Sequence, residues 1–287
     1  MSGASDFLLQ MAASSRERTI AARRSVSEAA LLDQALAHPQ PPALLASSEE
    51  FDLIAELKLR SPAVGVLKTS DDQDIVQRVQ AYAAAGAAAV SVLTEPSRFD
   101  GSLTHLQVAA RALRPMRVPA MRKDFIVDPY QVIEARAAGA GGVLVILRLL
   151  PLEQIEALLA RACELGLFVL LEAFDEQDIE LMHETLTSPA LESSTRGTKL
   201  TVLAGLNCRD LSTLQIVPAR LLELAHLLPS SVPRVAESGV LSAEDAGRVA
   251  AAGYRYALVG SALMQDDDPG ALVAAMLRAG RMAVSST

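Results

Sequence analysis

The chain has few of the residues that mark several common protein classes. Its 287 residues include two cysteines, no tryptophan and only 3% aromatic residues. Cys163 and Cys208 are too few for a disulfide framework, and they form no CxxC pair of the kind that binds zinc. We therefore expect a reducing compartment and no metal site. The low aromatic content beside many helix formers favours an α/β protein over an all-β one.

Long apolar runs, excess positive charge and a secretory leader are also missing. The longest apolar run, around 143–146, is interrupted by Arg148 and Pro151, and it is far shorter than the roughly 20 residues that span a bilayer. The formal net charge of −8 argues against a nucleic-acid surface. The N-terminus has Asp6 and no apolar core of a signal peptide. These features predict a soluble, cytoplasmic protein with no membrane or nucleic-acid partner.

Alternation of apolar runs with helical segments dominates the chain after Phe51. Short runs rich in leucine and β-branched residues occur at 53–55, 89–93, 118–121, 142–147, 168–171, 200–206, 234–236 and 256–259. The segments with helical spacing between them include 74–85, 129–138, 151–165, 218–228 and 242–252. Apolar strands separated by helices are typical of a parallel sheet whose outer face is covered.

Eight such units predict a (β/α)₈ TIM barrel. A doubly wound open sheet is the alternative, but it ordinarily uses fewer units, and no GxGxxG follows the first predicted strand. Residues 1–50 contain no predicted strand, so we expect an N-terminal helical extension packed on a barrel domain of residues 51–287. The Ser/Thr-rich segment 185–199 predicts an exposed insertion after the end of a helix.

Charged and small residues follow the predicted strands, at the ends that meet in the mouth of such a barrel. In the first strand, Glu56 and Lys58 lie on one face because side chains alternate along a strand. The residues at later strand ends are Lys123, Glu172, Asn207, Arg209, Glu237, Ser238, Gly239, Gly260 and Ser261. Burial of so many charges is unfavourable unless they pair or bind a ligand, and the set therefore predicts a functional site.

Small residues after the last two strands indicate what is bound. Gly239, Gly260 and Ser261 lead toward helix N-termini, whose backbone N–H groups bind anions, and this is the usual phosphate position in the fold. Positive charge at the mouth comes from Lys58, Lys123 and Arg209. We therefore expect a small phosphorylated, anionic substrate. We also expect crowding and burial to bring a lysine pKa toward neutrality for acid–base catalysis.

Taken together, the motifs resemble those of the indole-3-glycerol phosphate synthase family over almost the whole chain. The matching stretches are "IAELKLRSPAVG", "VSVLTEPSRFDGSLTHL", "RKDFIVDPYQVIEARAAGA", "VLLEAFDEQDIE", "GLNCRDLSTL", "ESGV" and "LVGSALM". The resemblance implies a TIM barrel that needs no cofactor. It implies ring closure of 1-(2-carboxyphenylamino)-1-deoxyribulose 5-phosphate with loss of carbon dioxide and water.

The resemblance also implies catalytic roles. Lys123 matches the main general acid, which protonates the ketone oxygen as the aromatic carbon attacks. Lys58 matches the second lysine, which orients the substrate and can protonate the departing hydroxyl. Glu172 matches the general base of the dehydration, and Glu56 matches the carboxylate that positions the lysines. Asn207 completes this catalytic group as a residue that orients the substrate.

Other positions match substrate contacts of the family. Arg209 orients the substrate, and Glu237 with Ser238 forms the pair after the seventh strand. Phe99 and Phe125 match the aromatic walls of the anthranilate site. The residues that match phosphate contacts are Ser61, Gly239, Gly260 and Ser261.

The chain departs from the usual family motifs at four places. It has Ser61-Pro62-Ala63 for SPS, Asn207-Cys208-Arg209 for NNR, Ala236-Glu237-Ser238-Gly239 for SESG, and Gly139-Ala140-Gly141 where Gly-Ala-Asp is common. None of these changes removes a residue assigned to the chemistry. They leave open a paralogue that acts on a substituted anthranilate in a specialised pathway.

Two further alternatives are weaker. Phosphoribosylanthranilate isomerase has a catalytic cysteine at the end of its first strand, where this chain has Glu56 and Lys58. A non-catalytic barrel that binds a phosphorylated metabolite would not need both Lys123 and Glu172. The sequence predicts a monomer or a weak homodimer, and it leaves the role of Cys208 open.

Overall fold

Eight parallel strands form a closed barrel in a computed structural model that describes residues 4–45, 51–61, 65–66, 71–198, 200–210 and 215–285. The barrel strands are β1 (Asp52–Leu57), β4 (Ala89–Leu93), β5 (Ala120–Lys123), β6 (Gly142–Ile146), β7 (Phe168–Ala173), β8 (Val202–Asn207), β9 (Arg234–Glu237) and β10 (Tyr256–Val259). They are arranged in the order β1-β10-β9-β8-β7-β6-β5-β4, and β4 pairs again with β1. A separate antiparallel pair consists of β2 (Arg60–Ser61) and β3 (Gly65–Val66). The predicted TIM barrel is confirmed.

Helices cover the outside of the barrel and precede its first strand. They are α1 (Ala4–Ser25), α2 (Glu28–Ala37), α3 (Asp72–Ala84), α4 (Pro96–Phe99), α5 (Leu103–Leu113), α6 (Pro129–Ala137), α7 (Leu152–Glu164), α8 (Glu176–Leu186), α9 (Pro189–Ser194), α10 (Ala219–Glu223), α11 (Ala243–Ala251), α12 (Ser261–Gln265) and α13 (Pro269–Val284). Short 3₁₀ turns lie at 114–116, 147–149 and 225–227. No described helix is both long enough and apolar enough to cross a membrane.

Local sequence signals explain where many of these helices begin and end. Ser242 caps α11 in a reciprocal capping box with Asp245. Asp71 and Asp128 accept hydrogen bonds from the first-turn backbone of α3 and α6. The glycines that follow four helices all have positive φ, as left-handed helix ends require: Gly86, Gly139, Gly166 and Gly253.

Two apolar layers result from the alternation of side chains along the strands. One layer fills the barrel interior and includes Ile54, Leu144, Leu170 and Leu203. The other lies between the strands and the surrounding helices and includes Val90. Because both faces of each strand are buried, the strands are apolar along almost their whole length. Glu56, Lys123, Glu172, Asn207 and Glu237 lie at or near the carboxyl ends of their strands, which places the candidate site there.

The N-terminal segment contacts the barrel at several levels. In α1, Ser15 Oγ donates to the Phe125 carbonyl at 2.5 Å, and Arg18 binds the Asp124 carboxylate with two hydrogen bonds of 2.8 and 3.1 Å. α2 packs on α6. Later in the segment, the Gln40 side chain donates to the Leu165 carbonyl at 3.3 Å. The division of the chain into residues 1–50 and 51–287 stays a prediction.

A helix ends within the segment 185–199 and most of the described residues after it are exposed, as predicted, but they include a short helix. α8 ends at Leu186, and the short helix α9 follows with Pro189 in its first turn. Ser188 caps α9, and Leu191 is buried. Hydroxyl groups of this segment bond to the helix itself. The Ser188 hydroxyl caps its N-terminus, and the Ser194 hydroxyl donates to the Leu191 carbonyl.

Candidate active site

The predicted site residues meet in one cleft at the carboxyl ends of the barrel strands. Thirteen of the fourteen line it: Glu56, Lys58, Phe99, Lys123, Phe125, Glu172, Asn207, Arg209, Glu237, Ser238, Gly239, Gly260 and Ser261. The fourteenth, Ser61, ends β2, and its side chain lies outside the described residues, as do Pro62 and Ala63. The structure thus brings together residues that are far apart in sequence.

One ion pair occupies the end of β1. Lys58 Nζ donates to Glu56 Oε1 at 2.6 Å, and both side chains are nearly buried. Burial alone would raise the pKa of Glu56, but Lys58, Lys123 and Arg209 outweigh it and lower the pKa below its usual range. Glu56 is therefore ionised and holds the Lys58 ammonium in place.

Two carboxyl groups lie beside the ammonium of Lys123. Its Nζ lies 3.0 Å from Glu237 Oε2 and 3.5 Å from Glu172 Oε1. Burial would lower the pKa of Lys123, but the charges of Glu172, Glu237 and Glu56 raise it above its ordinary value. The prediction of a lysine pKa near neutrality is wrong for Lys123, because the sequence did not reveal that several carboxylates converge on one cation. Lys123 is fully protonated at neutral pH.

Asn207 connects the end of β8 with Glu172. Its Nδ2 donates to Glu172 Oε1 at 2.7 Å, while its Oδ1 accepts from the Arg209 backbone N–H at 2.9 Å. One side chain therefore both orients the Glu172 carboxylate and stabilises the turn that brings Arg209 to the cleft. These contacts leave Glu172 anchored beside Lys123.

Glu237 is the most strongly perturbed carboxyl of the cleft. Burial and the nearby Glu172 raise the pKa of Glu237 to about 8, although Lys123 acts in the opposite direction. Its Oε2 accepts from Lys123, whereas its buried Oε1 has no hydrogen-bond partner among the described residues. A buried carboxyl with one free oxygen is suited to bind or exchange a proton.

Small residues lie at the carboxyl ends of β9 and β10. Ser238 and Gly239 both have positive φ, at 65° and 72°, so the chain turns sharply directly after Glu237. Ser261 begins α12 after Gly260. A Cβ at Gly260 would lie 2.2 Å from Glu56 Oε1. Gly260 is thus required for the Glu56 carboxylate whether or not it also contacts a phosphate.

Aromatic and aliphatic side chains form the other wall. Phe125 lies edge-to-face with Phe7 at a ring-centroid distance of 6.0 Å, and it lies 6.4 Å from Phe99. Phe7 and Leu8 of α1 line the cleft, as does Phe174 after β7. The sequence analysis missed these three residues. Phe174 adjoins the predicted strand end, but no local signal shows that α1 reaches the barrel mouth.

The two residues that flank Lys123 in the sequence, Arg122 and Asp124, belong to a buried network outside the cleft centre. Arg122 is 2% exposed, and it donates to Asp124 at 3.1 Å and to Glu134 at 3.0 Å. Asp124 also accepts from Thr94 at 2.8 Å. Burial would raise the pKa of Asp124, but Arg122 and the other donors lower it to about 2. The triplet 122–124 therefore alternates between the network and the cleft, as strand geometry requires.

Two of the motif departures lie away from the cleft. Cys208 is fully buried in the outer apolar layer, and its Sγ would be 2.9 Å from a Cβ at Gly239. Burial raises the pKa of Cys208 to about 11, so its thiol is an inert packing group outside the cleft. Gly141 precedes β6 at the opposite end of the barrel, where a Cβ would lie 2.9 Å from the Pro42 carbonyl oxygen.

No group of three or more histidine, cysteine, aspartate or glutamate side chains with metal-binding geometry occurs among the described residues. The ammonium groups of Lys58 and Lys123 balance Glu56 and Glu172 instead, and the raised pKa of Glu237 keeps that third carboxyl largely protonated at neutral pH. The arrangement of fixed cations, one neutral carboxyl and an apolar wall can bind an anionic aromatic molecule and transfer protons to and from it.

Comparison with known proteins gives a consistent match. The family model described as indole-3-glycerol phosphate synthase matches residues 9–276. A protein of that name from Nocardioides sp. is 41% identical over 253 residues, which cover 87% of this chain and 90% of the relative. One from Mycobacterium tuberculosis is 39% identical over 264 residues, covering 91% of this chain and 90% of the relative.

Solved structures at low identity share the fold. Thiamine phosphate pyrophosphorylase from Pyrococcus furiosus superimposes with a TM-score of 0.54 at 16% identity, and it covers 82% of this chain and 98% of its own. Orotidine 5'-phosphate decarboxylase from Pyrococcus horikoshii gives a TM-score of 0.55 at 12% identity, covering 82% of this chain and 100% of its own.

Proposed function

The chain belongs to the indole-3-glycerol phosphate synthase family, and we propose on that basis that it closes the indole ring of indole-3-glycerol phosphate. The substrate is 1-(2-carboxyphenylamino)-1-deoxyribulose 5-phosphate, and carbon dioxide and water are released. The enzyme is a carboxy-lyase of tryptophan biosynthesis. The observation that carries the proposal is the Lys123 ammonium held between Glu172 and Glu237 beside an aromatic wall.

Lys123 supplies the proton for ring closure. The aromatic carbon that bears the carboxylate attacks the ketone carbon, and negative charge develops on the ketone oxygen. An alkoxide is far more basic than an amine, so proton transfer from the Lys123 ammonium is favourable even with a raised pKa. The cation is already in place in a largely buried site, which stabilises the developing charge without reorganisation of solvent.

Decarboxylation and dehydration follow at the same centre. Loss of carbon dioxide leaves its electron pair in the ring system, and the new hydroxyl must then depart as water. Lys58, held by Glu56, donates a proton to that hydroxyl. Glu172 removes the proton that is lost with the hydroxyl, which forms the double bond of the five-membered ring and completes the indole, and Asn207 keeps its carboxylate oriented.

Substrate binding uses the remainder of the cleft. Phe7, Phe99 and Phe125 pack against the anthranilate ring, which holds the reacting carbons close together. Arg209 and Glu237 orient the polar middle of the substrate. The phosphate binds near Ser61, Ser238, Gly239, Gly260 and Ser261. Neither Cys208 nor Gly141 lines the cleft, so these two departures do not favour a substituted ring.

The finer aspects of the assignment are proposals as well. We place the enzyme in the cytoplasm, where small phosphorylated metabolites are made and used. We propose that it acts as a monomer or a weak homodimer, because the cleft is completed by residues of a single chain.

A fluorescence assay with the carboxyphenylamino-deoxyribulose phosphate tests the proposal. The wild-type protein is expected to produce indole emission, and Lys123→Ala is expected to lower kcat by about 10²–10⁴-fold because the general acid is lost. Arg111→Ala, which removes an exposed cation of α5, serves as the control and should keep wild-type activity. Wild-type protein without turnover would refute the assigned reaction. Full activity of the Lys123 variant would refute only the role of the lysine.

A further inference from the structure

Gly205 is an unexpected residue at the centre of a barrel strand. It lies in the middle of β8, paired in register with Glu172 on β7 and with Val235 on β9. Its φ is not positive, so backbone conformation does not require glycine there. Glycine in a strand interior is unfavourable by roughly 0.5–1 kcal/mol relative to alanine, and it often marks a place where another group approaches closely.

The group that approaches Gly205 is the carboxylate of Glu237. A Cβ built on Gly205 would lie 2.3 Å from Glu237 Oε1, 2.9 Å from Leu170 Cδ1 and 3.1 Å from the Leu171 carbonyl oxygen. Side chains alternate along β8, and Leu203 belongs to the interior apolar layer, so a side chain at 205 would also point into the barrel. Glu237 Oε1 thus occupies the space that a side chain would fill.

This contact determines the direction of the Glu237 side chain. Glu237 is in register with Asn207, two residues beyond Gly205, so its carboxyl group bends back along β8. In that orientation its other oxygen, Oε2, lies 3.0 Å from Lys123 Nζ. The two oxygens of one planar carboxyl group thus face Gly205 and Lys123. A group that fills the space at Gly205 would therefore also change the contact between Glu237 and the Lys123 ammonium.

We infer that Gly205 is a positioning residue that holds Glu237, and through it Lys123, in the geometry needed for proton transfer. Part of this inference rests on the proposed function. A methyl group at 205 has to displace the carboxylate by about 1 Å to reach an ordinary van der Waals contact. The carboxylate is the end of a flexible side chain, so it moves more readily than the strands do.

The expected effect of Gly205→Ala is a loss of kcat with little change in KM. A displacement of about 1 Å near the reacting atoms lowers the rate by as much as about 10²-fold. Gly247→Ala on α11 is the matched control, because its new Cβ would lie 3.6 Å from the Ala279 carbonyl oxygen, its nearest contact outside the helix, and it should keep the wild-type kcat.

A double-mutant cycle with Glu237→Ala tests the coupling directly. If Gly205 acts through Glu237, then Gly205→Ala lowers kcat in the wild-type background but causes no further loss once the carboxylate has been removed. Independent, multiplicative losses in the double variant would overturn the inference. Equal kcat values for Gly205→Ala and wild type would also overturn it.

Crystal structures provide a readout that does not depend on activity. In unliganded Gly205→Ala, the distance from Glu237 Oε2 to Lys123 Nζ should differ from its wild-type value while the backbone of β8 stays in place. An unchanged Glu237 beside a shifted strand would overturn the inference. If the wild-type protein fails to convert the proposed substrate, only the proposed function is refuted, because this structural comparison still decides the role of Gly205.

Discussion

Individual residues in the cleft differ most in how the surrounding charges alter their proton affinity. Glu56 and Glu237 are both buried glutamates beside lysines, yet the pKa of Glu56 is lowered and that of Glu237 is raised. The difference arises because Glu56 has Lys58 at 2.6 Å, whereas Glu237 shares Lys123 with Glu172. One carboxyl group is therefore permanently charged, and the other titrates near neutral pH.

The raised pKa of Glu237 predicts a specific pH dependence of stability. The folded protein keeps this proton up to about pH 8, while the unfolded chain releases it above its ordinary pKa of 4.5. The folded state thus binds more protons in this window, and the contribution of Glu237 to the free energy of unfolding falls as pH rises through it.

Glu237→Gln removes this titration. We expect the difference in unfolding free energy, wild type minus variant, to decrease steadily between about pH 5 and pH 8, measured by urea unfolding. Glu244→Gln, at an exposed position of α11, serves as the control for the loss of one glutamate charge at the surface. Parallel pH curves for wild type and Glu237→Gln would show that Glu237 has an ordinary pKa.

Among the secondary-structure elements, α1 has a role that its position in the chain does not suggest. Its first turns bring Phe7 and Leu8 to the cleft, and its middle is fixed to the loop after Lys123 by Ser15 and Arg18. The Arg18–Asp124 pair is buried on the Asp124 side, whereas Arg23 of the same helix pairs with Asp128 near the surface. Only the first pair is expected to contribute substantially to docking of the helix.

Removal of the two arginines should therefore have different consequences. Arg18→Met is expected to lower the free energy of unfolding by about 1–3 kcal/mol, because two hydrogen bonds to a buried carboxylate are lost while Arg122 still neutralises Asp124. KM should also rise, since α1 carries part of the aromatic wall. Arg23→Met should cost less than about 1 kcal/mol and leave KM unchanged.

Urea unfolding and steady-state kinetics of the two variants check this prediction. Arg18→Lys should raise KM less than Arg18→Met does, because a single charged hydrogen bond to Asp124 is still possible. If Arg18→Met has the same KM as wild type, α1 does not need this pair to form the wall of the cleft.

At the scale of the whole molecule, closure of the barrel is reinforced where its first and last strands meet. β1 pairs with both β4 and β10, so neither of its edges is left open. The C-terminal helix α13 packs against the start of β1: a Cβ at Gly280 would lie 2.1 Å from the Phe51 ring, and Arg281 donates to Asp52 at 3.1 Å. The early and late parts of the chain thus share one core.

The reactivity of the two cysteine thiols measures whether that core stays closed. Cys163 is 4% exposed and Cys208 is not exposed, and burial raises the pKa of both thiols. We expect an aromatic disulfide reagent near pH 8 to modify neither thiol rapidly in the native protein and both in denaturant. Rapid modification of one thiol in the native protein would show that the barrel opens locally near that residue.

The sequence by itself determined the architecture and most members of the site. Apolar runs separated by helical segments predicted all eight barrel strands, because the pattern reflects burial of both strand faces. Active sites of this fold lie at the carboxyl ends of the strands, so Glu56, Lys123 and Glu172 could be chosen as candidate site residues from their positions alone, and all three line the cleft. The glycines after helices were also predictable, because a left-handed residue is a local requirement.

Only the tertiary structure decided how these residues interact. Lys123 and Glu237 are 114 positions apart, and no local pattern shows which carboxyl groups lie beside one ammonium, which is why the sequence did not reveal that the pKa of Lys123 is raised. The docking of α1 on the cleft and the fit of Glu237 over Gly205 were equally hidden. Distances across a barrel depend on strand order, register and side-chain packing, and these are properties of the closed fold as a whole.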